Sequence, residues 1–365
     1  MVNGDERDAD ATWSLGNMTI ETTLEYTYLG MTVDAIGREK TKKERLQQAN
    51  QRVGRLGSAS KCRANKYEVV RGVWNEMPVP SIMYGLETLP WTANDLAKLE
   101  VAQNRIGRLA LGANKYTAVE ALRGDAGWSS FEERIDTGAL RYRVRLEKMD
   151  ENRWARKIFE WVKDSSKWNK MCDKRIEKYG MQRIMTGQNM EAWSQDRWKK
   201  EIGDKVQEVA RDEWVRKMRT KSSLEWYLGK QQPGREPFYD GSMGGELLFK
   251  ARTKSLELNS RTYRWANEGN KRCTTCESGE DETIEHVLLK CTKYENERED
   301  MLRFVIAEIG LDEWNSVVGP IYEWNLDSII VYLLGLNRYN KWNNNIAECV
   351  KEFLEKAWRI RSKLE

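Results

Sequence analysis

Apolar and polar positions recur at two different periods along the 365-residue chain. Over residues 20–36, Ile-Glu-Thr-Thr-Leu-Glu-Tyr-Thr-Tyr-Leu-Gly-Met-Thr-Val-Asp-Ala-Ile mixes β-branched and aromatic residues around one glycine. That predicts two short strands, a hairpin or the edge of a sheet. A lone hairpin is marginally stable, so it needs a surface to pack on. Residues 1–20 are polar and are expected to be frayed. From Arg38 the period turns helical, with Leu46, Ala49, Val53 and Leu56 on one face.

Residues 66–90 read as a helix, a break at Met77-Pro-Val-Pro80, and a second apolar helix with Ile82, Met83, Tyr84 and Leu86. Thr92 to Asp95 is a variant of the box that opens helices. It precedes Leu96, Leu99, Ile106 and Leu109, and Gly112 is the stop. Thr117 to Glu120 and Ser129 to Glu132 are two further cap signals, the second opening a helix with Ile135, Leu140 and Val144. Trp154, Trp161 and Trp168 stand seven apart, with Trp193, Trp198, Trp214 and Trp226 beyond them. An aromatic stripe at helical spacing points to core before it points to base stacking. Gln231 to Pro237 and Gly241 to Gly245 read as a linker, and residues 246–272 as helical again. The remainder is helical, with an apolar run over residues 329–335.

The expected fold is mainly α. Its segments are a disordered start and β-hairpin (1–36), a helical bundle (37–150), a Trp-rich helical connector (151–245), a basic helix with a compact Cys/His module (246–300), and C-terminal helices (301–365).

Composition alters this picture only locally. Lys plus Arg number 61 against 57 acids, so bulk charge does not announce nucleic acid and its distribution must carry that argument. Between Arg38 and Lys66 there are ten Lys or Arg and two Glu, and residues 246–272 hold seven Lys or Arg. Such surpluses suit a phosphate-facing surface; an ordinary solvated helix is the plainer alternative. The charged start, Met-Val-Asn-Gly-Asp-Glu-Arg-Asp, has no signal-peptide character. No apolar run approaches ~18 residues, so no membrane span is expected. The chain is not expected to be secreted; its unpaired cysteines suit a nuclear or cytoplasmic location.

The sharpest chemistry lies between Cys273 and Cys291. Cys273-Thr-Thr-Cys276 is followed by His286 and then Cys291, and His286 is the one histidine of the chain. Two cysteines separated by two residues can bend around one ion, and a His and a Cys complete a tetrahedron. Thiolate sulfur and imidazole nitrogen suit zinc. With four protein ligands no position stays open for water, which makes the expected ion structural. Cys62, Cys172 and Cys349 are isolated and odd in number, as reduced thiols are. The module itself is acidic, with nine acids and three bases from Cys273 to Asp300. The zinc is therefore expected to order the chain and present its neighbours, not to grip phosphate.

The order of these blocks resembles the C-terminal region of the reverse transcriptase of non-LTR (LINE-type) retrotransposons. Glu25-Tyr-Thr-Tyr-Leu-Gly30 with Val33-Asp34 looks like the strand pair that follows the polymerase active site in that family. Pro80-Ser-Ile-Met-Tyr-Gly-Leu-Glu87 and the capped helix with Leu99, Glu100 and Gln103 resemble its thumb. Ala126-Gly-Trp-Ser-Ser-Phe-Glu-Glu-Arg134 is similar to the segment that comes next. The Cys273, Cys276, His286, Cys291 set, with Tyr294 and Arg298, looks like its Cys-Cys-His-Cys zinc-binding module. The likeness covers roughly residues 21–365.

The resemblance implies a thumb-like role for residues 37–150, gripping a template–primer duplex, and a later part that holds element RNA or target DNA. The candidate contacts are Lys40, Lys42, Lys43, Arg45, Arg52 and Arg55, with Arg252, Arg261 and Arg264 as a second group. Partners would be RNA, an RNA–DNA duplex or target DNA, and the rest of the reverse transcriptase if the chain is a fragment. Nuclear residence in particular is expected only from the resemblance. The chain carries no adjacent Asp-Asp pair to hold polymerase metals, and none of its prolines precedes Asp as the family's nuclease motif requires. Its only histidine is committed to the metal set, which disfavours a His-dependent hydrolase. The expectation is a non-enzymatic, nucleic-acid-binding section. The rival expectation is a zinc-stabilised scaffold for protein partners.

Overall fold

The computed structural model describes residues 13–20, 23, 25–34, 39–59, 65–263, 269–319, 326–336 and 343–362. It is mainly helical with short N-terminal strands, as the periodicity predicts. The strands are β1 (Trp13–Leu15), β2 (Met18–Ile20), β3 (Glu25–Tyr28) and β4 (Met31–Asp34). Helices follow: α1 (Glu39–Ala59), α2 (Lys66–Glu76), α3 (Pro78–Met83), α4 (Ala93–Leu111), α5 (Val119–Ala126), α6 (Phe131–Glu147), α7 (Trp154–Trp161) and α8 (Lys167–Lys178). Then come α9 (Gly187–Ala192), α10 (Gln195–Arg219), α11 (Met243–Arg252), α12 (Asn259–Thr262), α13 (Glu295–Ile309), α14 (Leu311–Val318), α15 (Leu326–Leu333) and α16 (Asn343–Arg361). Among the described residues, no helix is long and apolar enough to cross a membrane.

The described residues fall into two compact units. One holds Met1–Leu56, Val73–Gln103 and Ser130–Val209, the other Gly57–Gly72, Asn104–Ser129 and Ala210–Glu365.

In the first unit the strands make two separate antiparallel pairs. β3 and β4 form the expected hairpin, closed by Leu29-Gly30 with φ of 46° and 73°. Two left-handed residues give the tight turn whose twist matches that of the strands. The hairpin finds its support on α1. Arg45 donates to the Gly30 carbonyl at 2.9 Å, and Thr41 donates to the Thr32 carbonyl at 2.6 Å. The pair β1–β2 departs from the expected frayed start. All six of its residues are exposed, so backbone pairing builds it and no burial pattern marks it in the sequence.

Caps fix several helix starts. Thr92 and Asp95 bond reciprocally, each amide to the other's side-chain oxygen at 3.2 Å, and Gly112 at φ 60° ends α4. Ser130 and Glu133 form the box that opens α6, one residue later than the spacing suggested. Thr117 caps nothing; Ala118 precedes α5 without a side-chain bond. The break before α3 narrows to Met77, because Pro78 sits in the first turn of α3, where a missing amide is harmless.

The core of this unit gathers Leu140 and Val144 of α6, Tyr179, Met181, and Trp198, Ile202 and Val206 of α10. The expected tryptophan stripe is not part of it. Trp154 and Trp161 lie on α7 at 78% and 85% exposure, whereas Trp168 belongs to α8 and donates to the Glu87 carbonyl at 2.7 Å. The seven-residue spacing crosses a break between two helices, so it never becomes one face.

In the second unit α16 packs on α11 and α13. The approach to α11 is close. A Cβ added to Gly244 would stand 2.8 Å from the Lys351 carbonyl. Leu247, Leu248 and Phe249 of α11 are buried, as are Ile346, Val350, Phe353 and Leu354 of α16. The basic stretch 246–272 is not one helix: α11 ends at Arg252, and Lys254 turns the chain at φ 47°. The expected linker is also fixed. Gly234 and Glu236 donate their amides to the carbonyls of Gly124 and Asp125 at 2.9 and 3.0 Å, and Gly244 and Gly245 lie inside α11.

Those bonds frame a buried polar cluster. The Asp125 carboxylate, fully buried, accepts from the Tyr239 hydroxyl at 2.6 Å, the Tyr227 hydroxyl at 3.0 Å and the Lys230 ammonium at 3.0 Å. The equally buried Arg252 guanidinium lies 3.4 Å from Asp125 and bonds Glu236 at 3.0 Å. Burial opposes ionisation of Asp125, but Arg252 and Lys230 outweigh it and hold the carboxyl below its usual range.

Candidate metal centre and basic surface

The Cys/His module begins as a narrow hairpin. Arg272 and Asp281 pair antiparallel, the Cys273 amide donates to the Glu280 carbonyl at 2.8 Å, and Gly279 at φ 72° supplies the left-handed turn residue. The chain then winds through residues 284–285 into one wide turn over His286–Lys290. The Cys291 amide donates to the His286 carbonyl, five residues back, at 2.7 Å. Such π-helical turns are frequent at functional sites. Ile284, Val287 and Leu288 anchor the segment in apolar surroundings.

These elements bring one donor atom from each of Cys273, Cys276, His286 and Cys291 within 4.8 Å of one another. All four expected ligands therefore meet. Cys276 Sγ lies 3.3 Å from His286 Nε2. A tetrahedral zinc with bonds of ~2.3 Å to sulfur and ~2.0 Å to nitrogen sets such edges at roughly 3.5 Å. Cys291 and His286 are buried and Cys276 is half-buried.

The imidazole is oriented from behind. His286 Nδ1 stands 3.0 Å from a Glu280 carboxylate oxygen, so Nδ1 carries the proton and donates, leaving the Nε2 lone pair facing the thiols. A carboxylate behind a ligating histidine fixes both tautomer and basicity. The His286 ring in turn holds the Glu280 carboxyl below its ordinary value. Glu280 went unnoticed in the sequence; its signal is an acid on the turn between the second cysteine and the histidine.

The thiols carry opposing shifts. Burial works against ionisation of Cys276, yet the Ser278 hydroxyl and amide and the His286 ring bring it down to about 6. Burial pushes Cys291 up to about 12, and the neighbouring cysteines add to that. Converging thiolates repel one another in a half-buried site, and a divalent cation removes the conflict. The donor set fits zinc, with four protein ligands and no position left for a reacting molecule.

A further carboxylate ties the module down. Glu282, fully buried, accepts the Asn259 amide at 2.7 Å and is gripped by Arg361 at the end of α16 at 3.1 and 3.3 Å. Arg298 donates to the Cys291 carbonyl at 3.0 Å.

The candidate phosphate contacts divide sharply. Arg252 is wholly buried in the Asp125 cluster and cannot meet a ligand backbone. Lys42 is 4% exposed and faces Asp95 at 3.5 Å, and Arg45 is 6% exposed beneath the hairpin, where burial lowers its pKa. These three are corrections: their charges serve interior partners. Lys40 is half-buried and paired with Glu25, and Arg52 is half-buried and donates to Ser81 at 2.7 Å. Arg261 is half-buried and donates to the Ser255 carbonyl at 2.5 Å. Lys43 and Arg55 are exposed. Arg264 lies outside the described residues.

What survives on α1 is an exposed stripe of Lys43, Gln47, Asn50, Gln51, Gly54 and Arg55. Their spacing of four and three places them on one face over roughly 18 Å of helix. Among the described residues the one carboxylate on this face is that of half-buried Glu44, which accepts from the Thr32 hydroxyl at 3.1 Å.

Comparison of the chain with protein-family models, with curated proteins and with solved structures gave no significant match.

Proposed function

We propose that this chain is a nucleic-acid-binding, zinc-stabilised C-terminal section of a retroelement reverse transcriptase, with a gripping role and no catalysis of its own. The observation that carries the reading is the convergence of Cys273, Cys276, His286 and Cys291, with Glu280 behind the imidazole. That is the donor set which the resembling family's zinc module needs. The ion is zinc, held as a structural element. The exposed stripe on α1 supports the nucleic-acid part, since its cations and amides suit a phosphate backbone. Lys43 and Arg55 lead that surface, with Lys40 and Arg52 at its rim.

Two measurements test this. Elemental analysis of the purified chain should find one zinc per molecule. Cys276→Ser should lose it and unfold the module, because metal affinity there is folding energy. Full zinc with unchanged thermal stability in that variant would defeat the assignment. Separately, anisotropy of a labelled RNA–DNA duplex titrated with salt should give a log–log slope of about −3 to −4, matching three to four phosphates. Lys43→Gln with Arg55→Gln should make it shallower by roughly 2.

One observation favours a second reading, a scaffold for protein partners. Trp154, Ile158 and Trp161 form an exposed apolar face on α7. Large exposed aromatics at helical spacing are features of interaction surfaces. Zinc binding without duplex binding at low salt would select this reading.

A further inference from the structure

The second unit contains a cavity of about 880 Å³ that the sequence did not announce. One wall is a face of α10 carrying Arg211, Arg216 and Arg219. The rest of the lining comes from residues of the turn from Gly229 to Glu236, Lys230 among them, and from Gly335 and Leu336, with Asp212 of α10 and Glu236 as its acids. The charges here are not equivalent. Arg211 is satisfied by Asp212 at 3.3 Å. Lys230 is held by Asp125 at 3.0 Å and by Glu236, and Glu236 also receives Arg252 at 3.0 Å. The charges of Lys230 and Glu236 are therefore already committed to ion pairs. Arg216 and Arg219 are different. Both are exposed and line the cavity, and no described residue pairs with them. The basic end of α10 complements the helix dipole, which accounts for positive charge there. It does not account for a cavity that sets two free guanidinium groups beside charges already paired.

We propose that this cleft is a second anion site, in which Arg216 and Arg219 hold phosphodiester groups of a single nucleic-acid strand. Guanidinium groups bind phosphate through paired, charge-assisted hydrogen bonds. The cavity is concave, whereas the α1 stripe is one face of a helix. A concave cationic groove suits one strand tracked by its backbone. Among the described residues no aromatic side chain lines the cleft, so the proposed contacts are to phosphate and carry little sequence preference. The proposal deepens the nucleic-acid reading and rests on it.

The test compares three full-length proteins: the parent chain, Arg216→Gln/Arg219→Gln, and Lys43→Gln/Arg55→Gln. All four positions are exposed, so folding should survive; far-UV circular dichroism and melting check that. Each protein is titrated with a labelled oligothymidylate, an RNA–DNA duplex and sodium tripolyphosphate over a range of salt. The cleft variant should lose roughly 10- to 30-fold in oligothymidylate affinity at 0.1 M salt, with a log–log slope shallower by about 1.4, while duplex binding changes little. Unchanged oligothymidylate affinity and slope in the cleft variant would overturn the proposal and leave the α1 surface standing. A loss confined to the cleft variant on every ligand would support the cleft and remove the α1 surface. Parent chain that binds neither nucleic acid at low salt would overturn both. Tripolyphosphate bound one-to-one, more tightly than the strand and lost in the cleft variant, would reassign the site to a free polyphosphate and so refute the strand.

Discussion

Replacing Asp125 with Asn removes one charge and almost no volume from the centre of the second unit. The carboxylate receives two tyrosine hydroxyls and the Lys230 ammonium at 2.6 to 3.0 Å, and Arg252 stands 3.4 Å away with no solvent access. Asn keeps one acceptor oxygen but sets an amide NH2 among groups that chiefly donate. Arg252 is left with Glu236 at 3.0 Å as its charged partner, beside the Leu334 carbonyl at 3.1 Å. Breaking a buried pair by removing one partner costs about 3–5 kcal/mol. With a urea dependence on the order of 3 kcal/mol per molar, the unfolding midpoint of this unit should fall by roughly 1–1.7 M, with the slope unchanged. Tyrosine and tryptophan fluorescence during urea titration reads that shift. The pH dependence has a definite sign. Asp125 is held below its ordinary carboxyl value, so its contribution is full above the unfolded pKa of about 3.9 and is lost as pH falls through the lower folded value. The gap between parent and variant should be flat from pH 7 down to about 4 and shrink below that. Asp125→Leu with Arg252→Met removes both charges but orphans the buried hydroxyls of Tyr227 and Tyr239, so it should recover only part of the loss. A midpoint drop under about 0.3 M, or a gap that widens in acid, would refute the account.

Three further outcomes follow from the same reasoning. Glu280→Ala should weaken zinc roughly 10- to 100-fold in competition with a chromophoric chelator while leaving all four ligands in place, because the imidazole loses its orienting carboxylate; equal affinities would count against that role. Trp214→Ala should cost about 3–5 kcal/mol, since the ring is 2% exposed and its indole donates to the Glu120 carbonyl at 2.9 Å, whereas Trp161→Ala should fall within about 0.5 kcal/mol of the parent. Similar losses for the two would contradict the packing described. Ser130→Ala should cost about 1 kcal/mol and speed amide exchange in the first turn of α6; unaltered exchange there would mean that the cap is not what holds that turn.

Much of the local structure was legible because its causes are local. The β3–β4 hairpin, α1 and the Thr92–Asp95 box depend on residues close in sequence. So does the spacing of Cys273, Cys276, His286 and Cys291, although only the fold brings their donor atoms together. Where the reading failed, the cause lay at long range. Arg252 counted towards a basic stretch because its partner Asp125 stands 127 residues earlier. A trace was present: Arg252 shares the apolar face of α11 with Leu248 and Phe249, and Asp125 shares that of α5 with Ala121 and Leu122. A charge on the buried side of two helices marks a pair, but neither helix names the other. Lys42 and Arg45 failed in the same way, as surplus charge does not say which face a hairpin will cover. The tryptophans failed because spacing alone does not reveal that Val162–Ser166 interrupts the helix.

The module's imidazole has one more consequence. His286 is the chain's sole histidine, so proton spectra of the protein hold a single set of imidazole ring resonances with no background to subtract. That one group touches Cys276 through Nε2 and Glu280 through Nδ1. Metal loading, tautomer and the state of the carboxylate behind the ring can therefore be followed through one residue, without labelling, provided that purification avoids a polyhistidine tag. The chain carries its own reporter at the place where its chemistry is most concentrated.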